Sequence, residues 1–365
     1  KLGKQYERNI LPEKAAQVYE AVLEIGLDSE AAFRARVKLV DLELRQKKFA
    51  RALERLGAVT LPSPDSDGEK LSPETRSAWL NLKAMIRRAA TENHEIYRRS
   101  KERQALVLAE HLYQAYLVRF LSEKKMPEGS SEQKEKNEVR MYLADVKAEL
   151  GKTLESAELY REIFRSEDER YASEAGVLWV VALGESLRQA AIQPQTQTQT
   201  QTQNKKTPSE LEVQYVAAVE EIEKRVKGSA QLREALLKSA QILAGYSDSQ
   251  ERAIEKARAL LGKWPKTYQA VLAGRLWVQI LADQLAFAKE AAVKEGGNEP
   301  RASFLKLSDR LAEAIIDLKK NSDLISVDAI QGEKRLVRFM DETLGRLRAQ
   351  IIEIHEGAGD FVAAG

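Results

Sequence analysis

Apolar residues in this chain recur at intervals of three and four rather than two, and that period limits what it can fold into more than any other feature. In PEKAAQVYEAVLEI, Pro12 to Ile25, the positions Ala15, Val18, Tyr19, Val22 and Leu23 fall on one face of a helix. After a turn in which Asp28 or Ser29 can cap the next N-terminus, Phe33, Val37, Leu39, Val40 and Leu44 carry the period to Gln46. The segment Lys47 to Leu56 then repeats the logic of the first, with Phe49, Ala52, Leu53 and Leu56 aligned. Ala52 and Leu56 thereby echo Ala15 and Tyr19: a small residue, one helical turn, a large residue.

The same pair recurs at Ala109 and Tyr113 in LVLAEHLYQAYLVRFL, and at Ser156 and Tyr160 behind the turn residue Gly151. In SDSQERAIEKARALLGKWP, Ala253 and Ala257 are one turn apart, Leu260 follows, and Trp264 plugs the junction before Pro265. A small side chain lets two helices approach closely, and a large one fills the groove formed with the next pair. The pattern resembles the tetratricopeptide repeat, a helical hairpin of about 34 residues whose second helix carries such a pair. The period departs from the family's, since the small positions 15, 52, 109, 156 and 253 are unevenly spaced, and the tryptophan, glycine and tyrosine set of its first helix is largely missing. The resemblance is to a degenerate array over about half of the chain.

That resemblance implies an all-α fold, an α-solenoid of antiparallel helical hairpins whose inner face is lined by the first helix of each hairpin. In the register set by Ala52, the inner face takes Arg34, Val37, Asp41 and Leu44; in the register set by Ala253 it takes Ala235, Lys238 and Ile242. Arg34, Val37, Asp41, Lys238 and Ile242 are therefore the candidate partner-binding residues.

The organisation along the chain follows from its interruptions. The tract QPQTQTQTQTQN, Gln193 to Asn204, alternates polar residues and has no apolar face to bury, so it reads as a solvated link. It divides the chain into a helical block over 1–192, a Gln/Thr-rich linker over 193–207 and a second helical block over 208–365. Ser72-Pro73 starts a helix by a cap followed by Pro at the first helical position, and capping boxes are expected at Ser247 with Gln250 and at Thr207 with Glu210. A terminal helix from about Val327 to Ile354 places Leu336, Met340, Leu344, Leu347, Ile351 and Ile354 along one face.

Charge and composition narrow the functional classes. Lys and Arg total 58 against 56 acidic residues, a net charge of +2 that creates no field able to gather a polyanion, so no nucleic-acid partner is expected. The absence of cysteine excludes disulfides and thiolate chemistry without deciding the compartment. The longest apolar run, Val177 to Leu183, falls far short of the roughly 20 residues of a spanning helix, so no membrane span is expected. Because the chain begins at Lys1 without a signal-like stretch, it is expected to be a processed form or an excised fragment.

No catalytic constellation is legible. His94 opens HEIYR like a zinc-protease motif, but Arg98 stands where the second ligand must be, which leaves His94 as a surface helix residue. His111 reads as half-buried, and His355 as a residue near a helix C-terminus. Gly357-Ala358-Gly359 lacks the strand and Lys-Ser or Lys-Thr of a phosphate loop, and the two SxxK patterns, Ser131 to Lys134 and Ser303 to Lys306, lack their companion triplets. Trp79, Trp179, Trp264 and Trp277 lie within apolar helical periods and read as packing residues. The expectation is a non-catalytic helical-repeat scaffold without cofactor or metal that binds a protein or peptide. It would be part of a larger assembly or longer chain, bacterial, with the cell envelope favoured over the cytoplasm. The alternative is a helical accessory domain of an enzyme, such as a cell-wall lytic enzyme.

Overall fold

A computed structural model describes residues 11–25, 30–59, 72–121, 130–166, 168–192, 207–265, 267–295 and 298–322, with isolated positions before residue 7 and after residue 337. Among the described residues there is no strand. The helices in chain order are α1 (Pro12–Glu24), α2 (Glu30–Arg45), α3 (Phe49–Gly57), α4 (Pro73–Ser100), α5 (Arg103–Phe120), α6 (Ser131–Glu149) and α7 (Thr153–Arg165). They continue as α8 (Glu169–Ile192), α9 (Glu210–Glu223), α10 (Ala230–Ala244), α11 (Gln250–Lys263), α12 (Tyr268–Glu295) and α13 (Asn298–Ser322). The fold is all-α, built from hairpins of consecutive helices.

Serine starts four of these helices. Ser72, Ser130, Ser209 and Ser229 each accept from the backbone N–H three residues on, satisfying one of the donors that a helix N-terminus leaves orphaned. Ser72 is followed by Pro73 at the first helical position, as expected. The expected box at Thr207 moves two residues on: Ser209 is the cap, and the Glu212 carboxylate accepts its N–H in return at 2.8 Å. At Ser247 the chain makes a 3-10 turn to Ser249 before α11, so Ser247 does not cap that helix.

The chain divides into two compact units, Lys1–Ala182 and Leu183–Gly365. The boundary falls within α8, ahead of the Gln/Thr tract at which the sequence divides the blocks. The last turns of α8 belong with the second unit, where the Gly184 carbonyl accepts from Lys238 Nζ at 3.1 Å. Residues 193–206, the stripe from Leu336 to Ile354, His355 and the glycine tail lie outside the described residues.

In the first unit α2–α3, α4–α5 and α6–α7 are hairpins, with α1 packed on α2, α2 on α4, and α5 on α6. The turns of α2–α3 and α6–α7 are the same turn. Lys47 and Gly151 both take the left-handed conformation, with φ of 57° and 83°, and the following N–H of Lys48 or Lys152 donates to the carbonyl five residues back at 2.9 Å. Five residues past each left-handed position stands the small residue of the second helix, Ala52 or Ser156. Both are fully buried, and Ser156 also donates its hydroxyl to the Ala144 carbonyl of α6 at 2.8 Å.

This arrangement extends through the chain. Ala15, Ala52, Ala109, Ser156, Ala218, Ala253 and Ala314, one on each odd-numbered helix, have essentially no exposure. Ala218 with Ile222 and Ala314 with Leu318 complete a series whose other members the sequence pattern marks. In the second unit α9 packs on α10, α10 on α11 and α12, α11 on α12, and α12 on α13. The core of the first unit runs without a break from Phe33 and Val37 through Leu82, Ile86 and Tyr113 to Val139 and Val146. Each such side chain fully buried contributes about 1.5–3 kcal/mol.

Helices α8 and α12 are long and apolar enough to cross a membrane, each with a window of mean hydropathy 1.2. This length is missed by counting unbroken apolar runs, because Gly184 and scattered polar residues interrupt them. Their apolar faces are core: Trp179, Val180 and Leu183 on α8, and Trp277, Val278 and Leu281 on α12, are buried.

Candidate partner-binding groove

In the first unit a groove of about 1010 Å³ opens between α1, α2 and α4. Arg34, Val37 and Asp41 all stand on its walls, brought together by the seven-residue span that sets them on one face of α2. Tyr19 and Val22 of α1, Ala35 and Val37 of α2, and Ala78 and Met85 of α4 supply its apolar lining. Val37 is buried and also belongs to the core, so it acts as floor rather than as a projecting contact.

The two charged candidates are engaged within the chain. Asp41 is gripped by Arg45, whose Nε and Nη2 donate to its two oxygens at 2.8 Å each, with Lys38 Nζ at 3.8 Å. Arg34 Nη1 donates to Thr75 Oγ1 at 3.1 Å, Glu30 Oε2 at 3.3 Å and Ser72 Oγ at 3.4 Å. Arg34 is thus a tie that fixes the start of α4 against the start of α2. Glu30 is the centre of that tie: it accepts from the Ser72 hydroxyl, from Ser72 N at 2.8 Å and from Thr75 Oγ1 at 2.8 Å. These bonds, the Ser72 hydroxyl first, hold its carboxyl down to about 2.

Further cations on the same groove go unmarked by the repeat register. Lys38 and Arg45 continue the α2 stripe, and Arg88 projects from α4 into the groove. Arg88 is exposed and has no hydrogen bond or ion pair among the described residues. The signal that finds them is the register already in hand: Lys38 and Arg45 lie four residues after Arg34 and Asp41, one turn along the same face.

In the second unit Lys238 and Ile242 line a recess of about 340 Å³ with Glu212 and Tyr246. Lys238 is half-buried over the Tyr215 ring at 5.3 Å, and burial lowers its pKa. The Tyr246 hydroxyl donates to Glu212 at 2.8 Å, and burial together with that carboxylate pushes it up to about 12.

The histidines differ from expectation. His94 is buried rather than on the surface, because Tyr113 of α5 and Glu149 of α6 lie against it. Its ring meets Tyr113 edge-on at 6.4 Å, and Nε2 lies 3.4 Å from Glu149 without a hydrogen bond. Burial lowers its pKa, assisted by Arg98. His111 is exposed rather than half-buried, since α5 turns that side outward. Among the described residues no group of three or more His, Asp or Glu side chains could hold a metal ion. Trp79 packs between Phe33 and Phe120, and Trp179 packs on Phe164.

No family model and no curated protein matches the chain. Among solved structures it is similar to a circular tandem repeat protein with novel repeat topology and enhanced subunit contact surfaces, at 14% identity over 100% of this chain and 84% of that one. The TM-score is 0.25, so the helical-repeat description rests on the packing of the hairpins themselves.

Proposed function

We propose that this chain is a non-catalytic helical-repeat scaffold of the tetratricopeptide type that binds a partner protein, as one part of a larger assembly or longer chain. The observation that carries the reading is the groove between α1, α2 and α4, where register positions chosen for the inner face of a solenoid converge on one concavity with apolar walls and charged edges. An extended array of hairpins presents such surfaces on the uncovered side of its first helices. The groove is open along one side, as a chain segment needs, and its Arg34, Asp41 and Arg45 sit in ion pairs and helix ties rather than in acid–base pairs.

A photo-reactive amino acid placed at Ala84, on the groove, and separately at Val118, away from it, tests the reading in extracts of the source cell. One discrete protein adduct from position 84 and none from position 118 is the expected result. Equal labelling from both positions, or none from position 84, would overturn it.

A further inference from the structure

The geometry of the groove points to its occupant: we infer that it takes an extended segment of a partner protein that carries carboxylates at alternate positions. This rests on the scaffold reading and adds the chemistry of the partner.

The groove's charge is unbalanced. Four cations line it, Arg34, Lys38, Arg45 and Arg88, against Asp41 and Glu74 on its walls and Glu30, which pairs with Arg34 beside it, an excess of one positive charge. Of the two on the walls, Asp41 is the more neutralised, held at both oxygens by Arg45. Arg88 lines the groove from the opposite wall and forms no ion pair among the described residues. The potential over the groove is therefore positive although the whole chain is nearly neutral.

Spacing selects the backbone conformation. Arg34 and Lys38 are one turn apart on α2, about 6 Å along its axis at 1.5 Å per residue. In an extended segment, side chains on one side recur every second residue, about 6.6 Å apart at 3.3 Å per residue. Two carboxylates at alternate positions therefore reach Arg34 and Lys38 together. The intervening side chains point to the opposite wall, where Ala78, Ala84 and Met85 favour small apolar residues and Arg88 adds to the positive potential that the peptide's carboxylates meet. The α2 stripe from Arg34 to Arg45 spans eleven residues, about 16 Å, which five extended residues cover.

The test uses the full chain and three fluorescent peptides: EAEAEA, its rearrangement EEEAAA, and the basic counterpart KAKAKA. Fluorescence anisotropy at low salt is expected to show EAEAEA binding at least tenfold more tightly than KAKAKA and several-fold more tightly than EEEAAA. Binding should weaken as salt screens the cations. Arg88→Glu and Lys38→Glu, at an exposed and a part-exposed position, should each weaken EAEAEA by tenfold or more with the circular dichroism spectrum unchanged. If Lys38→Glu disturbs the fold, Arg88→Glu alone decides. EAEAEA binding no better than KAKAKA, or unaffected by Arg88→Glu, overturns the inference. Loss of peptide binding with the position-84 adduct still formed would refute the acidic occupant alone. Loss of the adduct as well would refute the groove as a binding site.

Discussion

Gly274 on α12 packs against Leu318 of α13 with no room for a Cβ, and replacing it sets two effects of opposite sign against each other. In a helix interior alanine is better than glycine by about 1 kcal/mol, so Gly274→Ala should stabilise an isolated α12. In the folded chain the new Cβ would stand 2.7 Å from Leu318 Cδ1 of α13 and 3.6 Å from both methyls of Leu261 on α11. Ordinary carbon contacts lie at about 3.5–4.0 Å, so nearly 1 Å must be found. Leu318 is fully buried and Leu261 nearly so, which leaves the Leu318 methyl nowhere to swing. Overpacking of this kind costs about 1–3 kcal/mol, which exceeds the helix gain over most of that range. The expected net loss of up to about 2 kcal/mol is a fall in Tm of up to roughly 8 °C for a unit of this size.

The decisive measurement is the cycle with Leu318→Ala, followed by urea denaturation with tryptophan emission, Trp277 lying one turn from Gly274. Leu318→Ala alone should cost about 2–5 kcal/mol. In that background the clash is gone, so Gly274→Ala should change sign and stabilise by about 1 kcal/mol. The coupling between the two positions would then be about 1–3 kcal/mol. Stabilisation by Gly274→Ala in the unmodified chain, or additivity of the two changes, would refute the close packing of α12 on α13.

Three further outcomes follow from polar groups tied into the helix packing. Glu110 and Lys147, with side chains 3% and 6% exposed, pair at 2.9 Å between α5 and α6. Lys147→Met should cost about 3 kcal/mol, the low end for a broken buried pair because Lys152 also holds Glu110, and thermal melting should fall accordingly. The neutral form of His94 is favoured by burial, so its folded pKa lies below the ordinary 6.5 and the unfolded chain binds the proton more readily. The contribution is present above about 6.5 and is lost as pH falls; urea midpoints at stepped pH should show His94→Phe losing stability less than the native chain below that value. Glu30 has its pKa lowered from 4.5 to about 2, so its contribution is full above 4.5 and disappears as pH falls toward 2. The difference in urea midpoint between the native chain and Glu30→Gln should be constant above pH 4.5 and close below it.

Much of this fold is legible in the sequence because it is written in apolar spacing. Ala52 with Leu56 and Ser156 with Tyr160 mark second helices correctly, since only a small residue can occupy a fully buried position where two helices meet. Ala218 and Ala314 carry the same role without being conspicuous, because alanine is common in these segments and only contact distinguishes a buried one. Gly151 announces its turn; Lys47 makes the same turn at φ 57° with a residue that does not favour it, so the shared turn is visible only in the backbone. The groove was half legible. Periodicity placed Arg34, Val37 and Asp41 on one face, but the employment of Arg34 by Glu30, Ser72 and Thr75 depends on the start of a helix some forty residues away, which no local pattern encodes. Arg88 required knowing which side of α4 faces α2. His94 misleads for a related reason: a polar residue in a charged stretch reads as surface unless the neighbouring helices that bury it are known.

The polar contacts also bear on why the hairpins keep their order. A row of hairpins with similar apolar faces can slip, since one Leu-lined surface accepts another at little cost. From α4 to α7 the junctions carry contacts that a slipped pairing would break: Lys83 with Glu135 and Arg87 with Glu138 between α4 and α6, Glu110 with Lys147 and Lys152, and Asn137 with Ser166. A slipped α6 would strand Glu110, Lys147 and Asn137 at once, and each buried polar group left without a partner costs about 1–3 kcal/mol. Summed over three groups, that penalty exceeds what a different apolar packing could return, so the native order is favoured by polar satisfaction where apolar burial alone is nearly indifferent. Glu30, accepting from Ser72 and Thr75, acts in the same way to set α2 beside α4. The groove, with Arg34 and Arg88 on facing walls, exists only because each helix has one acceptable neighbour.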